Sequence, residues 1–241
     1  MLYKTRGIVL HSVKYSETSL IVKVYTEVFG LQSYLLKGIR SQKSNIRPAF
    51  FQPLSLLNLV VYHREKSTLH AVKEVQLAKP LHTISSDIRK SSIAIFLAEL
   101  IYRSIREEEA NATLFKFLWN SITLLETMEE PVASFHLVFT IKLSRFLGFQ
   151  PQENRSDSNR FFHLREGTFH PLFSSPDDCL DEHQSAWFFQ LMKTDLNHLQ
   201  QLALPAKIRS ILLGKILLYY RFHLPGLKEI HSHEILHTVL S

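Results

Sequence analysis

The first eighty residues alternate. Ile8 and Leu10 alternate with Val9, His11 and Val13; Leu20, Val22 and Val24 alternate with Ile21, Lys23 and Tyr25. Leu31, Ser33 and Leu35 alternate with Gln32, Tyr34 and Leu36. Leu57, Leu59 and Val61, then Leu69, Ala71, Lys73, Val75 and Leu77, complete five runs. A side-chain period of two carried by β-branched and aromatic residues is the strand signature. Phe29-Gly30-Leu31 reads as a hairpin connection, His63 to Ser67 as a polar link, and residues 38–52 as a basic connection containing Pro48. Five short strands in this length suit a small barrel of the OB (oligonucleotide/oligosaccharide-binding) type or an SH3-like barrel, and strand count does not separate the two.

Near residue 80 the period changes. Pro80 closes the last strand, and Ser85-Ser86-Asp87 offers caps for a helix running to about Arg106. Asn111 can cap a second helix, in which Leu114, Phe117, Leu118, Ser121 and Leu125 form a helical stripe. Pro131 opens a third, with Gly148 placed to end it and Pro151 to stop it. Residues 161–169 read as a small hairpin turning at Glu166-Gly167, and helices resume at about 182–199, 205–223 and 232–240. The expected fold class is α+β: a five-stranded barrel over 1–80, then a mostly helical domain over 81–241 with the hairpin inserted.

Charge divides the chain in the same way. Residues 1–80 hold twelve Lys and Arg against four Glu, a surplus of eight. The remaining sixteen basic residues face eighteen acidic ones, a balance of −2. A basic module joined to a nearly neutral one points to a polyanionic partner for the first part. One cysteine, Cys179, excludes an intramolecular disulfide framework and a thiolate cluster. The apolar run Ile208 to Leu224 is broken by Arg209, Lys215 and Arg221, which argues against a membrane span. Cytoplasmic placement, associated with the nucleoid, is the expectation.

The strongest constellation is Lys37, Arg40, Lys43 and Arg47, four cations in eleven residues with no acid between them. Tyr15, Tyr25, Tyr34, Phe50 and Phe51 surround them in sequence. Single-stranded nucleic acid asks for this pairing of cations for phosphates with aromatic faces for bases. Arg6 and Lys14 extend the basic set. No phosphate-binding glycine loop, G-x-S-x-G elbow or H-E-x-x-H motif occurs. No catalytic residue, cofactor or metal is expected. His163, His170, Cys179 and His183 are zinc ligands in kind, but their spacing matches no standard finger. Asp177, Asp178, Asp181 and Glu182 read as a loop and the acidic first turn of a helix.

Three segments carry a family resemblance: Tyr15-Ser16-Glu17-Thr18-Ser19-Leu20-Ile21, Val24-Tyr25-Thr26-Glu27-Val28-Phe29-Gly30 and Lys37-Gly38-Ile39-Arg40-Ser41. In that order and spacing the chain resembles the RecO family of bacterial DNA repair proteins. Ile95 to Leu100, Leu147-Gly148-Phe149-Gln150-Pro151 and Ser232-His233-Glu234-Ile235-Leu236 extend the likeness along the chain. The resemblance implies an N-terminal OB fold, a helical C-terminal domain and a recombination mediator without covalent chemistry. It implies binding of single- and double-stranded DNA and annealing of complementary strands. It implies work with RecR, and with RecF in many cases, to help load RecA onto DNA coated by single-stranded DNA-binding protein. It also implies binding of that coating protein's acidic C-terminal tail. Many relatives carry a four-cysteine zinc module after the L-G-(F/Y)-x-P element; this chain resembles the zinc-free members. In some relatives basic residues precede the Phe that starts the preceding helix. Here Ala133 and Ser134 stand before Phe135, which leaves Lys142 and Arg145 as the cations for a tail.

The expected DNA contacts are therefore Arg6, Lys14, Lys37, Arg40, Lys43 and Arg47, and the expected tail contacts Phe135, Lys142 and Arg145. Two other readings make different predictions. A barrel acting as a protein-interaction scaffold would touch DNA only incidentally. A nuclease working through Asp177, Asp178 or the histidines would need a metal.

Overall fold

The computed structural model of the chain describes residues 1–37, 39, 47–64, 67–105, 109–129 and 131–240. Five strands, β1 (Leu2–Lys14), β2 (Leu20–Thr26), β3 (Gly30–Leu36), β4 (Leu56–Tyr62) and β5 (His70–Lys79), close into a barrel. Their order is β1-β2-β3-β5-β4, with β3 and β5 parallel and the other neighbours antiparallel. That order selects the OB arrangement over the SH3-like one.

Closure depends on β1. Its first half pairs with β4 from Leu2↔Tyr62 to Ile8↔Leu56, and its second half pairs with β2 from Gly7↔Thr26 to Lys14↔Leu20. A register shift between Val9 and His11 bends the strand, as a bulge does at a barrel corner. Gly7 lies where both ladders overlap, and a Cβ there would stand 2.6 Å from Val24 Cγ1 and 2.9 Å from Leu59 Cδ1. Val9, Val22, Val24, Leu36, Leu57, Leu59 and Val61 fill the interior, joined by Tyr34, Ile39 and Phe51. Ile8, Leu10 and Tyr25 are buried as well, so this part of the barrel wall is covered on both faces.

The outer cover comes from helices. The chain packs as two compact units: Met1–Asp87 with Ala94–Glu126, and Ile88–Ile93 with Thr127–Ser241. The first unit thus holds the barrel, α1 (His82–Ser86), most of α2 (Ile88–Ser104) and nearly all of α3 (Ala112–Thr127). The Tyr25 ring stacks on Phe115 of α3, with centroids 6.3 Å apart, and His11 stacks on Tyr102 of α2 at 5.1 Å. The single helix expected over 85–106 is two: Asp87 is extended and separates α1 from α2. Glu126 supplies the start of α1, its carboxylate accepting from Thr83 N–H and Ile84 N–H at 2.9 Å each. Asn111 caps α3 as its sequence position suggested, Oδ1 accepting from Leu114 N–H at 2.9 Å.

The second unit contains α4 (Phe135–Phe146), the hairpin β6 (Phe161–His163) and β7 (Thr168–His170), α5 (Glu182–Lys193), α6 (Ala206–His223) and α7 (His233–Leu240). The third helix starts at Phe135 rather than Pro131, because Val132 is drawn into the core and its carbonyl accepts from Phe135 N–H. Gly148, at φ +85°, ends it with the 6→1 bond from Phe149 N–H to Ser144 O that left-handed caps make. The hairpin turns through Gly167, at φ +68°. Asp181 caps α5 by accepting from Gln184 N–H at 2.8 Å. This helix stops at Lys193, short of the expected 199, where Asp195 caps a separate 3₁₀ turn over Leu196–Gln201. Tyr220 Oη donates to Thr140 O at 2.6 Å, tying α6 to α4 through a group buried on all sides.

Candidate nucleic-acid interface

Register brings two of the expected cations to one end of the barrel. Lys14 ends β1 opposite Leu20, and Leu20 lies opposite Leu36, which precedes Lys37. The β1–β2 connection between them is tight: Tyr15 N–H and Ser16 N–H both donate to Ser19 O. Ile39 N–H donates to Thr18 O at 3.0 Å, which fastens the chain leaving β3 to this same connection. Ile39 then sinks into the barrel core. Arg47 precedes a 3₁₀ turn, Pro48–Phe51, whose Phe51 also enters the core. The basic segment is therefore anchored at both ends by apolar side chains, leaving Lys37 and Arg47 in solvent. Lys14, Lys37 and Arg47 are exposed and in no ion pair among the described residues. Arg40 and Lys43 lie outside the described residues.

Tyr15 is 64% exposed beside Lys14. Of the other aromatics near the cations in sequence, Tyr25, Tyr34 and Phe51 are core residues, and Phe50 is half-buried against the core. Their alternation reflects packing, which leaves Tyr15 as the exposed ring of this group. Tyr34 shows the same commitment in its ionisation: burial pushes its hydroxyl well above the usual range.

Arg6 is placed elsewhere. It lies eight residues before Lys14 along β1, a path of about 26 Å at ~3.3 Å per residue, at the end where β2 turns into β3. Its Nε and Nη2 donate to the two carboxylate oxygens of Glu27 at 2.8 and 2.6 Å. Its guanidinium carbon stands 4.9 Å from the Trp119 ring centroid and 5.4 Å from that of Phe115. The hydrogen bond holds the Glu27 carboxyl below its usual range. This placement sets Arg6 apart from Lys14 and Lys37 and engages it with Glu27 of the β2–β3 turn and the rings of α3. Glu27, Phe115 and Trp119 are distant from it in sequence, and no local pattern could have announced the cluster.

The tail residues separate as well. Phe135 is wholly buried, its ring stacked toward Phe139 at 6.4 Å, so it serves the helical core and offers no docking face. Lys142 is half-buried and Arg145 exposed. Hydrogen bonding from Asn197 N–H keeps the Asp195 carboxyl low, with the charge of Lys142 a smaller contribution.

The histidines and Cys179 form no common centre. His170 Nε2 is 3.1 Å from Glu166 and His163 Nδ1 3.8 Å from it. Cys179 is buried against the Ser174 hydroxyl, and His183 accepts from Trp187 Nε1. Among the described residues no group of three or more His, Cys, Asp or Glu is arranged to hold a metal ion. No described helix is long and apolar enough to cross a membrane.

These features define an OB-barrel protein with a cationic barrel end and a helical C-terminal region. Known proteins agree. The family model for the Recombination protein O N terminal matches residues 1–81, and that for the Recombination protein O C terminal matches residues 85–231. The DNA repair protein RecO of Flavobacterium psychrophilum is 38% identical over 242 residues, covering 100% of each chain. That of Bacteroides fragilis is 37% identical over 98% of each, and that of Porphyromonas gingivalis 31% over 99%. The chain belongs to the RecO family of DNA repair proteins.

Proposed function

We propose that the chain is a recombination mediator that works by binding alone. Lys14, Lys37 and Arg47, together with Arg40 and Lys43 of the same segment, hold phosphates, and Tyr15 stacks a base. The observation that carries this reading is that Lys14 and Lys37, in no ion pair among the described residues, share one end of an OB barrel with the exposed Tyr15. OB folds bind oligonucleotides through their β2–β3 face and the β1–β2 and β4–β5 connections, and Lys14 and Tyr15 stand where β1 gives way to the first of these connections. Neutralising two strands at one surface removes the repulsion between them, so complementary bases can pair. The protein thereby binds single- and double-stranded DNA and anneals complementary strands. With RecR, and with RecF in some settings, it helps load RecA onto DNA coated by single-stranded DNA-binding protein. The helical region docks protein partners, with Arg145 and Lys142 meeting the coating protein's acidic tail. No covalent step is needed, and the protein acts in the cytoplasm at the nucleoid.

Titration of a labelled single-stranded oligonucleotide at several salt concentrations tests the assignment. The double variant K14E/K37E removes two phosphate contacts. Its affinity falls, and the slope of log K against log[salt] shrinks by roughly 1.4, at ~0.7 per contact. Unchanged affinity and slope would remove these residues from the site. Annealing of oligonucleotides coated by single-stranded DNA-binding protein, with and without its acidic tail, then separates a mediator from an interaction scaffold, which gives no annealing in either arm.

A further inference from the structure

Strand register draws one row of side chains round the outside of the barrel. Val13 of β1 lies opposite Ile21 of β2, and Ile21 opposite Leu35 of β3. Leu35 lies beside Ala71 of β5, Ala71 opposite Tyr62 of β4, and Tyr62 opposite Leu2, back on β1. The chain neighbours Val22, Leu36 and Val61 belong to the interior cluster, so the row stands on the outer face. Every position in it is aliphatic or aromatic, and every position meets solvent. Val13 is 49% exposed, Tyr62 47% and Leu2 48%; Ala71 is exposed, and Ile21 and Leu35 are half-buried. A continuous apolar row on a solvent face is a surface that marks binding.

Cations border the row on both sides. Lys23 stands two residues along β2 from Ile21, level with Ser33. Lys37 stands two residues beyond Leu35, toward the opposite end, where Tyr15 lies two residues beyond Val13. Each lysine is thus a path of ~7 Å from the row at ~3.3 Å per residue. Neither is in an ion pair among the described residues. From Val13 to Ala71 the row crosses three strand spacings, a path of about 14 Å, which is long enough to meet more than one base. The ligand that suits this surface carries negative charge at its borders and flat, weakly polar rings over its middle. Single-stranded DNA has both, whereas a protein partner would have to bring acids to both borders.

An aliphatic row discriminates where an aromatic platform does not. An aromatic ring stacks any base, because every base has a π-face. Aliphatic side chains favour apolar atoms, and among the DNA bases thymine carries the methyl group that such side chains contact. We propose that Val13, Ile21, Leu35 and Ala71 give this protein a preference for thymine-rich single-stranded DNA. The proposal rests on the DNA-binding reading above: the cations and Tyr15 hold strands of any sequence, and the row adds the selectivity.

Fluorescence-anisotropy titration of the full-length chain with a thymidine dodecamer and the matching deoxyuridine dodecamer isolates the methyl group, since the two strands differ in nothing else. The thymidine strand binds about fourfold tighter for each methyl that the row covers, the ratio that burying one such group gives. Both strands show the same salt slope, because their phosphates are alike. The triple variant V13T/I21T/L35T keeps good strand formers, removes the thymidine preference and leaves the salt slope unchanged. Should the triple variant have a lowered Tm, Val13→Thr alone, at an exposed position, still narrows the ratio. Equal affinity of the parent for the two strands overturns the proposal and leaves the DNA-binding reading intact, as does a full thymidine preference in the variants. Absence of binding to either strand overturns both.

Discussion

Arg6 and Lys14 occupy one strand and carry the same charge, yet their surroundings differ. Lys14 is in no ion pair among the described residues, whereas the exposed Arg6 is paired with Glu27 and lies against Trp119. An exposed ion pair contributes ~0.2–1 kcal/mol and a cation–π contact ~0.5–1 kcal/mol. Arg6→Met should therefore lower stability to urea by about 1 kcal/mol and leave the salt slope of DNA binding unchanged; a shallower slope would return Arg6 to the phosphate-binding set. Glu126 offers a test of ionisation. Burial would raise its pKa, but hydrogen bonds from Thr83 and Ile84 outweigh that and hold it below the usual range. A carboxylate with a lowered folded pKa stabilises fully above its unfolded value of ~4.3, and the stabilisation is lost as pH falls through the folded value. Glu126→Gln should cost about 2 kcal/mol at pH 7, a magnitude typical of charged hydrogen bonds. The gap from the parent should close on acidification below pH 4. A gap that persists in acid would assign the loss to packing.

At the scale of elements, β1 joins the two halves of the barrel, and Gly7 is the residue that allows it. Thr26 and Leu57 flank Gly7 in the two ladders, and any Cβ would collide with Val24 and Leu59. Gly7→Ala should cost ~1–3 kcal/mol through overpacking. Chemical denaturation would show a lower midpoint with an unchanged m-value, since the surface exposed on unfolding is the same. The strands themselves were legible because a period of two over five runs has no competing explanation. Helix ends were less so. The breaks at Asp87 and Thr194 have no glycine or proline to mark them, and the start at Phe135 depended on Val132 finding room in the core.

At the scale of the whole molecule, the compact units do not follow the change of period near residue 80. The family models meet between residues 81 and 85, while the barrel shares its unit with most of α2 and nearly all of α3. Tyr25 rests on Phe115, and Ile8 lies opposite Tyr25 in the ladder. A chain ending at residue 81 would expose this apolar face. It should aggregate or bind a hydrophobic dye in sedimentation and fluorescence measurements. A chain ending at residue 129 keeps the cover and should unfold in one transition. A soluble, dye-free 1–81 fragment would show that the barrel needs no helical cover.

Sequence by itself determined the barrel, the helical remainder, the surplus of positive charge in the first third and the family. These are properties of local period, composition and ordered motifs, each readable within a short window. Only the tertiary structure decided which cations are available. Arg6 is matched by Glu27 from the neighbouring turn and by rings from α3, while strand register sets Lys14 and Lys37 at the same end of the barrel with β2 between them. It likewise placed Phe135 and most of the aromatics near the basic segment in the core, and joined Val13, Ile21, Leu35 and Ala71 in one outer row. Charge and aromaticity belong to a residue, but exposure and partners belong to the packing, and residues far apart in the chain decide both.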